Sequence, residues 1–181
     1  MFDKAAEFGI EIDGEEAKAV LDEIKQLEHE GFTFEAGEAS MSLLMRRAKG
    51  DYKRPFSIID FTSTIRSFGD GMISEATCKV EVDGEQMHSV ADGNGPVNAL
   101  SLALRKALFD KYPQLRDIHL TDYKVRILDG ENGTGARVRV LIDFIDNATD
   151  ERWSTVGAHA NIIEASWRAL TDSYEYALLK K

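Results

Sequence analysis

One cysteine, three prolines and a shortage of basic charge mark this sequence of 181 residues, and each scarcity removes a class of protein. Cys78 alone closes no internal disulfide and builds no thiolate metal cluster, so a disulfide scaffold is out of contention. No apolar run approaches the roughly 20 residues that span a bilayer. The opening Met1-Phe2-Asp3-Lys4 lacks the basic-then-apolar pattern of a signal peptide. The expectation is a cytoplasmic protein without a membrane partner. Lys and Arg number 22 against 32 Asp and Glu, a net charge of −10. A phosphate backbone recruits basic stripes, so nucleic acid is not expected as a partner. What is plentiful is core material: 43% hydrophobic residues beside 30% charged ones. That balance fits one large domain, or a compact domain with a helical extension, and excludes a disordered tail.

The first fifty residues read as two helices. Over residues 14–30, Ala17, Val20, Leu21, Ile24 and Leu27 fall on one face at helical period, and Gly31 supplies the stop. Over residues 38–48, Met41, Leu44, Met45 and Ala48 form a shorter stripe. Helices this short are marginal alone, so both stripes must pack on something.

From Pro55 the period changes to two. Ala76, Cys78, Val80 and Val82 alternate with Thr77, Lys79, Glu81 and Asp83, the pattern of a strand with one buried and one wet face. Asp83-Gly84 is a strong hairpin signal and residues 86–90 return as the next strand. Residues 56–66, with Ile59, Phe61 and Ile65, give a preceding strand. Gly95-Pro96 then opens a helix whose stripe is Val97, Leu100, Leu104, Ala107 and Leu108.

The same order of elements recurs. Tyr123, Val125 and Ile127 mark a strand, Val138, Val140, Ile142 and Phe144 alternate in the next, residues 153–156 form a third, and a helix starts near Ile162. A shift of 66 positions aligns Val90 with Val156, Gly95 with Asn161, Ala99 with Ala165, Ala103 with Ala169 and Leu104 with Leu170. The fold class is therefore α+β: two βββα repeat units in a pseudo-twofold relation, residues 55–116 and 117–181, preceded by a two-helix linker subdomain, residues 1–54. A three-stranded sheet with one helix is too thin to bury both its faces, so the units should pack on one another or on another subunit.

No catalytic constellation emerges. His29, His88, His119 and His159 have no partners at metal-ligand spacing, so no metal site is expected. Cys78 lies on an apolar strand face, the setting of an inert thiol. Ser40, Ser101 and Ser166 lack a nucleophile-elbow context. Two loops suit binding better. Asp92-Gly93-Asn94-Gly95-Pro96 approaches one helix start, and Gly157-Ala158-His159-Ala160-Asn161 occupies the equivalent place in the second unit. Free N–H groups and the helix dipole can hold a small anion there. Ordinary capping is the competing reading, and Asn161-Ile162-Ile163-Glu164 has the spacing of a capping box. The glycine-rich stretch from Gly130 to Gly135 lacks the Gly-Lys-Ser/Thr ending of a phosphate-binding loop.

Four ordered segments carry a resemblance: Leu27-Glu28-His29-Glu30-Gly31-Phe32-Thr33-Phe34-Glu35-Ala36, Asp92-Gly93-Asn94-Gly95-Pro96-Val97-Asn98-Ala99-Leu100, Leu120-Thr121-Asp122-Tyr123-Lys124-Val125-Arg126-Ile127-Leu128-Asp129 and Trp153-Ser154-Thr155-Val156-Gly157. Together they resemble the C-terminal linker and regulatory region of the citramalate synthase and 2-isopropylmalate synthase family. The resemblance implies an allosteric domain of two βββα units, residues 55–181, that forms a homodimer and binds an end-product branched-chain amino acid, isoleucine in citramalate synthase and leucine in 2-isopropylmalate synthase. In that family a TIM barrel condenses acetyl-CoA with a 2-oxo acid, pyruvate for citramalate, using a divalent metal. Nothing in this chain matches the barrel. The chain alone is therefore expected to have no catalytic residues and no cofactor, with the barrel as its partner in a full-length enzyme.

Carried over by motif, the effector pocket is expected at Leu120, Tyr123 and Ile127, with Thr134 and Val138 at the entrance of the next strand. Asp92, Gly93, Asn94 and Gly95, and also His159, Ala160 and Asn161, would supply polar and backbone contacts. Tyr123, Ile127 and Val138 also fit a plain core role. A dimerisation module without effector binding is the competing class.

Overall fold

A computed structural model describes residues 1–179; the last two residues of the expected second unit lie outside them. The elements in chain order are α1 (Phe2–Glu7), α2 (Gly14–His29), α3 (Glu38–Arg47), β1 (Ser57–Phe68), β2 (Gly71–Val82), β3 (Glu85–Gly93), α4 (Pro96–Leu108), β4 (Ile118–Ile127), β5 (Val138–Asp146), β6 (Glu151–His159) and α5 (Ile162–Leu179). Two antiparallel three-stranded sheets, ordered β1-β2-β3 and β4-β5-β6, are each followed by a helix. This is the βββα repeat that the alternation predicts. Three differences stand out. A short helix, α1, precedes the two expected ones and buries Ala5. Strand β1 runs two residues beyond the expected end, because its hairpin with β2 continues to the pair Phe68 and Gly71. Strand β3 continues to Gly93, since Ala91, Asp92 and Gly93 pair with Ala76, Glu75 and Ser74.

The chain divides into two compact units. One contains Pro55–His119 and residues 177–179; the other joins Met1–Arg54 to Leu120–Tyr176. The helical segment is thus part of the same compact body as the second sheet.

In the first unit, Ala76, Cys78, Val80 and Val82 lie on one face of β2 and are buried beneath Ala99, Leu100, Ala103 and Leu104 of α4. Each fully buried large aliphatic side chain contributes roughly 1.5–3 kcal/mol. Asp83 and Gly84 both have positive φ, 51° and 79°, as the tight turn between β2 and β3 requires. The other face of this sheet stays wet: Asp60 and Lys79 form an exposed ion pair at 2.8 Å, and Val90 is 47% exposed.

In the second unit both faces of β5 and β6 are covered. Val140, Ile142 and Phe144 of β5 stand opposite Gly157, Thr155 and Trp153 of β6 and share the face toward α5. On the reverse face Leu141, Val156 and Ala158 join a core with Val20 and Ile24 of α2, Leu44 and Met45 of α3, and Phe32 and Phe34 between the helices. Helix α2 starts in a reciprocal capping box: the Asp13 carboxylate accepts from the Glu16 N–H and the Glu16 carboxylate from the Asp13 N–H. It stops at Gly31, whose φ of 103° suits only glycine and whose missing Cβ makes room for Leu128. Arg139 Nε donates to the Gly31 carbonyl and ties this turn to β5.

Candidate functional site

The start of α5 gathers half of the residues expected from the sequence: Tyr123, Ile127, Val138, His159, Ala160 and Asn161. Val138 and His159 are directly paired on β5 and β6. The Leu128 N–H donates to the Arg137 carbonyl at 2.9 Å, which sets the end of β4, with Ile127, beside the start of β5. Tyr123 reaches across the α5 side of the sheet to bond Ser166 Oγ at 2.6 Å. Because Ser166 itself donates to the Ile162 carbonyl, the tyrosine is the donor in that pair. Alternation along β4 then puts Ile127 on the same face as Tyr123, and Leu120 on the opposite one. Ile127 is 59% exposed, Leu120 41%. Tyr123, Ile127, Val138 and His159 thus form an apolar patch with one imidazole beside the first turn of α5.

Of the stretch expected as a loop, Gly157, Ala158 and His159 continue β6 in its ladder with β5, and only Ala160 and Asn161 connect it to α5, in a turn organised by its own polar groups. Asn161 Oδ1 accepts from the Ile163 N–H at 2.8 Å and the Glu164 N–H at 3.4 Å, so it caps α5. The reciprocal half of the expected capping box is missing. Glu164 pairs instead with Arg168 at 2.9 Å, and the Asn161 N–H donates to His159 Nδ1. Arginine one turn on competes for the carboxylate, and the neighbouring imidazole takes its place. Ala160 is exposed between them. Thr134 sits exposed in a 3-10 turn, Gly130–Gly135. That turn is fastened by Asp129, which accepts from Asn132 Nδ2 at 2.7 Å and the Arg137 N–H at 2.6 Å. The Asn132 amide, with the Arg137 N–H, holds the Asp129 carboxyl below the usual carboxylate range.

Asp92, Gly93, Asn94 and Gly95 belong to the other unit. Gly93 is pressed against α4, where a Cβ would strike the Ala99 N–H and the Asn98 side chain. Asn98 Oδ1 accepts from the Asn94 N–H at 3.1 Å. Gly95 is the N-cap of α4 and provides no side-chain acceptor, so this helix start is more open than that of α5. Asp92 is exposed at the strand end.

A cleft of about 690 Å³ opens elsewhere in the second unit, and none of the expected site residues lines it. Its walls include Glu35, Glu38, Asp122 and Asp143 against Arg152, a polar and acidic surface ill suited to an aliphatic side chain or a carboxylate. Among the described residues no group of three or more His, Cys, Asp or Glu is arranged to hold a metal ion, and no helix is long and apolar enough to cross a membrane.

One polar cluster has no counterpart in the sequence expectations. Arg47 of α3 donates through Nη2 to Asp172 at 2.7 Å and to Glu175 at 2.6 Å, both on α5. Tyr52 donates to Glu175 at 2.7 Å, and Ser40 donates to Asp172 at 3.0 Å while accepting from the Val156 N–H at 3.1 Å. Burial alone would lower the Arg47 pKa, but the two carboxylates more than reverse that and hold it above its ordinary value. Burial pushes the Asp172 carboxyl up, beyond what Arg47 and Ser40 recover. The signal for it was a pair of acids three apart on α5, Asp172 and Glu175; the hydrogen-bond partners described here lie 123 or more positions away.

The LeuA allosteric (dimerisation) domain family matches residues 35–178. The chain is 46% identical to an (R)-citramalate synthase of Geobacter sulfurreducens and 48% to one of Aquifex aeolicus, in each case over 98% of this chain and 34% of that protein. A 2-isopropylmalate synthase of Aquifex aeolicus is 28% identical over 97% of this chain and 31% of its own length. The chain thus spans about a third of the length of these relatives.

Proposed function

Because this chain belongs to the LeuA allosteric (dimerisation) domain family, we infer that it is the regulatory part of an (R)-citramalate synthase, that it dimerises, and that it binds isoleucine to inhibit the enzyme by feedback. The observation that carries the choice of enzyme is the gap in identity, 46% and 48% to citramalate synthases against 28% to a 2-isopropylmalate synthase over nearly the same residues. Catalysis then belongs to a barrel that binds the divalent metal and acetyl-CoA, and the residues of this chain act through binding. The patch of Tyr123, Ile127 and Val138 suits a branched aliphatic side chain, and His159 with the 159–161 loop offers polar contacts beside it. The other unit has, by itself, an open helix start at α4, whose free N–H groups suit a small anion. Inhibition requires that isoleucine bind one arrangement of the enzyme more tightly than another, with couplings typically about 1–3 kcal/mol.

A second reading, a dimerisation module without an effector, draws on Gly93: its close contact with α4 accounts for that glycine without a ligand. Calorimetric titration of the chain with isoleucine, leucine and valine separates the readings. Isoleucine is expected to bind most tightly, and Val138→Asp to abolish binding while the dimer persists. Preference for leucine would transfer the chain to the 2-isopropylmalate reading, and no binding to any of the three would leave only the dimerisation module.

A further inference from the structure

The cluster around Arg47 is built unlike the rest of the contact it sits in. Around it α3 meets the sheet through apolar groups, Leu44 and Met45 against Val156 and Ala158. Apolar contacts are non-directional and fix the position of a helix along its axis only loosely. Buried ion pairs add little net stability, because desolvation offsets the attraction, yet they accept a narrow range of geometries. Here a two-carboxylate grip on one guanidinium fixes α3 against α5, with Arg47 24% exposed and Glu175 3%. The Ser40 hydroxyl adds the third element. Its partner, the Val156 N–H, lies on the outer edge of β6, and Gly37 lets α3 approach there because a Cβ would meet Val156. Val156 lies on β6 three residues before its end at His159, and Asp172 lies on α5, which the short loop of Ala160 and Asn161 joins to that strand. A change in the loop therefore reaches α3 by two routes, through the strand before it and through the helix after it.

We propose that the Ser40–Asp172–Arg47–Glu175 cluster is a latch that couples effector occupancy at the start of α5 to the position of α3, the helix of the linker segment. The proposal rests on the reading of this chain as an isoleucine-binding regulatory domain. Arg47 and Ser40 are positioning residues in it and touch no ligand.

Hydrogen exchange of the α3 amides, measured with and without saturating isoleucine, tests the coupling in the full 181-residue chain. Isoleucine is expected to slow exchange across α3 by about fivefold or more, the lower end of typical couplings. Ser40→Ala removes one hydroxyl and leaves the ion pairs; it is expected to bind isoleucine within about twofold of the parent, yet to lose most of the α3 response. Arg47→Met is expected to lose the response entirely. Should that variant fail to fold, the parent and Ser40→Ala decide the matter. Isoleucine binding that leaves α3 exchange unchanged in the parent would overturn the latch alone, as would a full response in Ser40→Ala. Absence of isoleucine binding would overturn the functional reading and the latch with it.

Discussion

The two βββα units share local chemistry and differ in what covers their sheets. In the first, Ser89 of β3 donates to the Ala103 carbonyl of α4 at 2.5 Å; in the second, Thr155 of β6 donates to the Ala169 carbonyl of α5 at 2.8 Å. Both pairs obey the 66-position shift. The same shift pairs Val90 with Val156, and there the likeness ends: Val90 is 47% exposed and Val156 fully buried. Next along the strands, Asp92 stands where the second unit has Ala158. One repeat thus keeps a wet outer face, and the other gives that face to α2 and α3. The two repeats differ in one face of one strand, while a helix covers the opposite face of each.

Charging the paired valines separates the wet face from the covered one most strongly. Val156→Asp puts a carboxylate into an apolar core and should cost more than about 4 kcal/mol, whereas Val90→Asp should cost less than about 0.5 kcal/mol. Urea unfolding of the two variants measures both. The first unit also carries a built-in probe of its own core. Burial, and secondarily Asp60, pushes the Cys78 thiol up to about 12. At pH 8 its thiolate is then scarcer by roughly a thousandfold than in an unfolded thiol of ordinary pKa. Labelling with a thiol-specific disulfide reagent should proceed through opening of the first unit, at a rate that denaturant accelerates. The raised pKa favours the protonated form, so this contribution to stability is complete below about pH 9 and is lost as pH climbs toward 12. Rapid native-state labelling at pH 8 would contradict the buried setting of Cys78.

The strands, the Asp83-Gly84 hairpin, the two covering helices and their repetition were legible because each rests on local pattern. Alternation in β2 has one apolar face, and the structure buries that face. Alternation in β6 is ambiguous, since Trp153 and Thr155 face α5 while Val156 and Ala158 face the linker helices. A strand apolar on both sides announces two coverings but does not say what they are. The Arg47 cluster was illegible for a related reason: its partners are brought together only by tertiary packing. At the start of α5 the cap at Asn161 was readable, but Arg168 drew Glu164 out of the expected box. Of the candidate site, β4 alternation separates Leu120 from Tyr123 and Ile127, a distinction that the motif alone does not make.

The spacing between helix and sheet differs between the units as well. A Cβ at Gly157 would collide with the Ala165 carbonyl and crowd the Ala169 N–H, both backbone groups that cannot rotate away. The shifted position in the first unit is Ala91, which carries a Cβ without difficulty. Gly157→Ala should therefore cost about 2–3 kcal/mol by forcing α5 off the sheet, and Ala91→Gly about 1 kcal/mol or less. Equal effects would mean that the two helices sit at the same height.

The smallest difference lies in the hydroxyls that began the comparison. Ser89 donates to the Ala103 carbonyl. Thr155 bonds both the Ala169 carbonyl and Ser173 Oγ, the latter at 2.8 Å and fully buried. Removing a hydroxyl from a buried pair costs about 1 kcal/mol, and stranding a second buried hydroxyl adds to it. Thr155→Val, which keeps the shape, should cost about 1–2 kcal/mol, against about 1 kcal/mol for Ser89→Ala. Pairing Thr155→Val with Ser173→Ala should recover part of the loss, because the orphaned group is then gone. A double-mutant cycle by thermal unfolding resolves this, and strict additivity would mean that Ser173 finds another partner once Thr155 is removed.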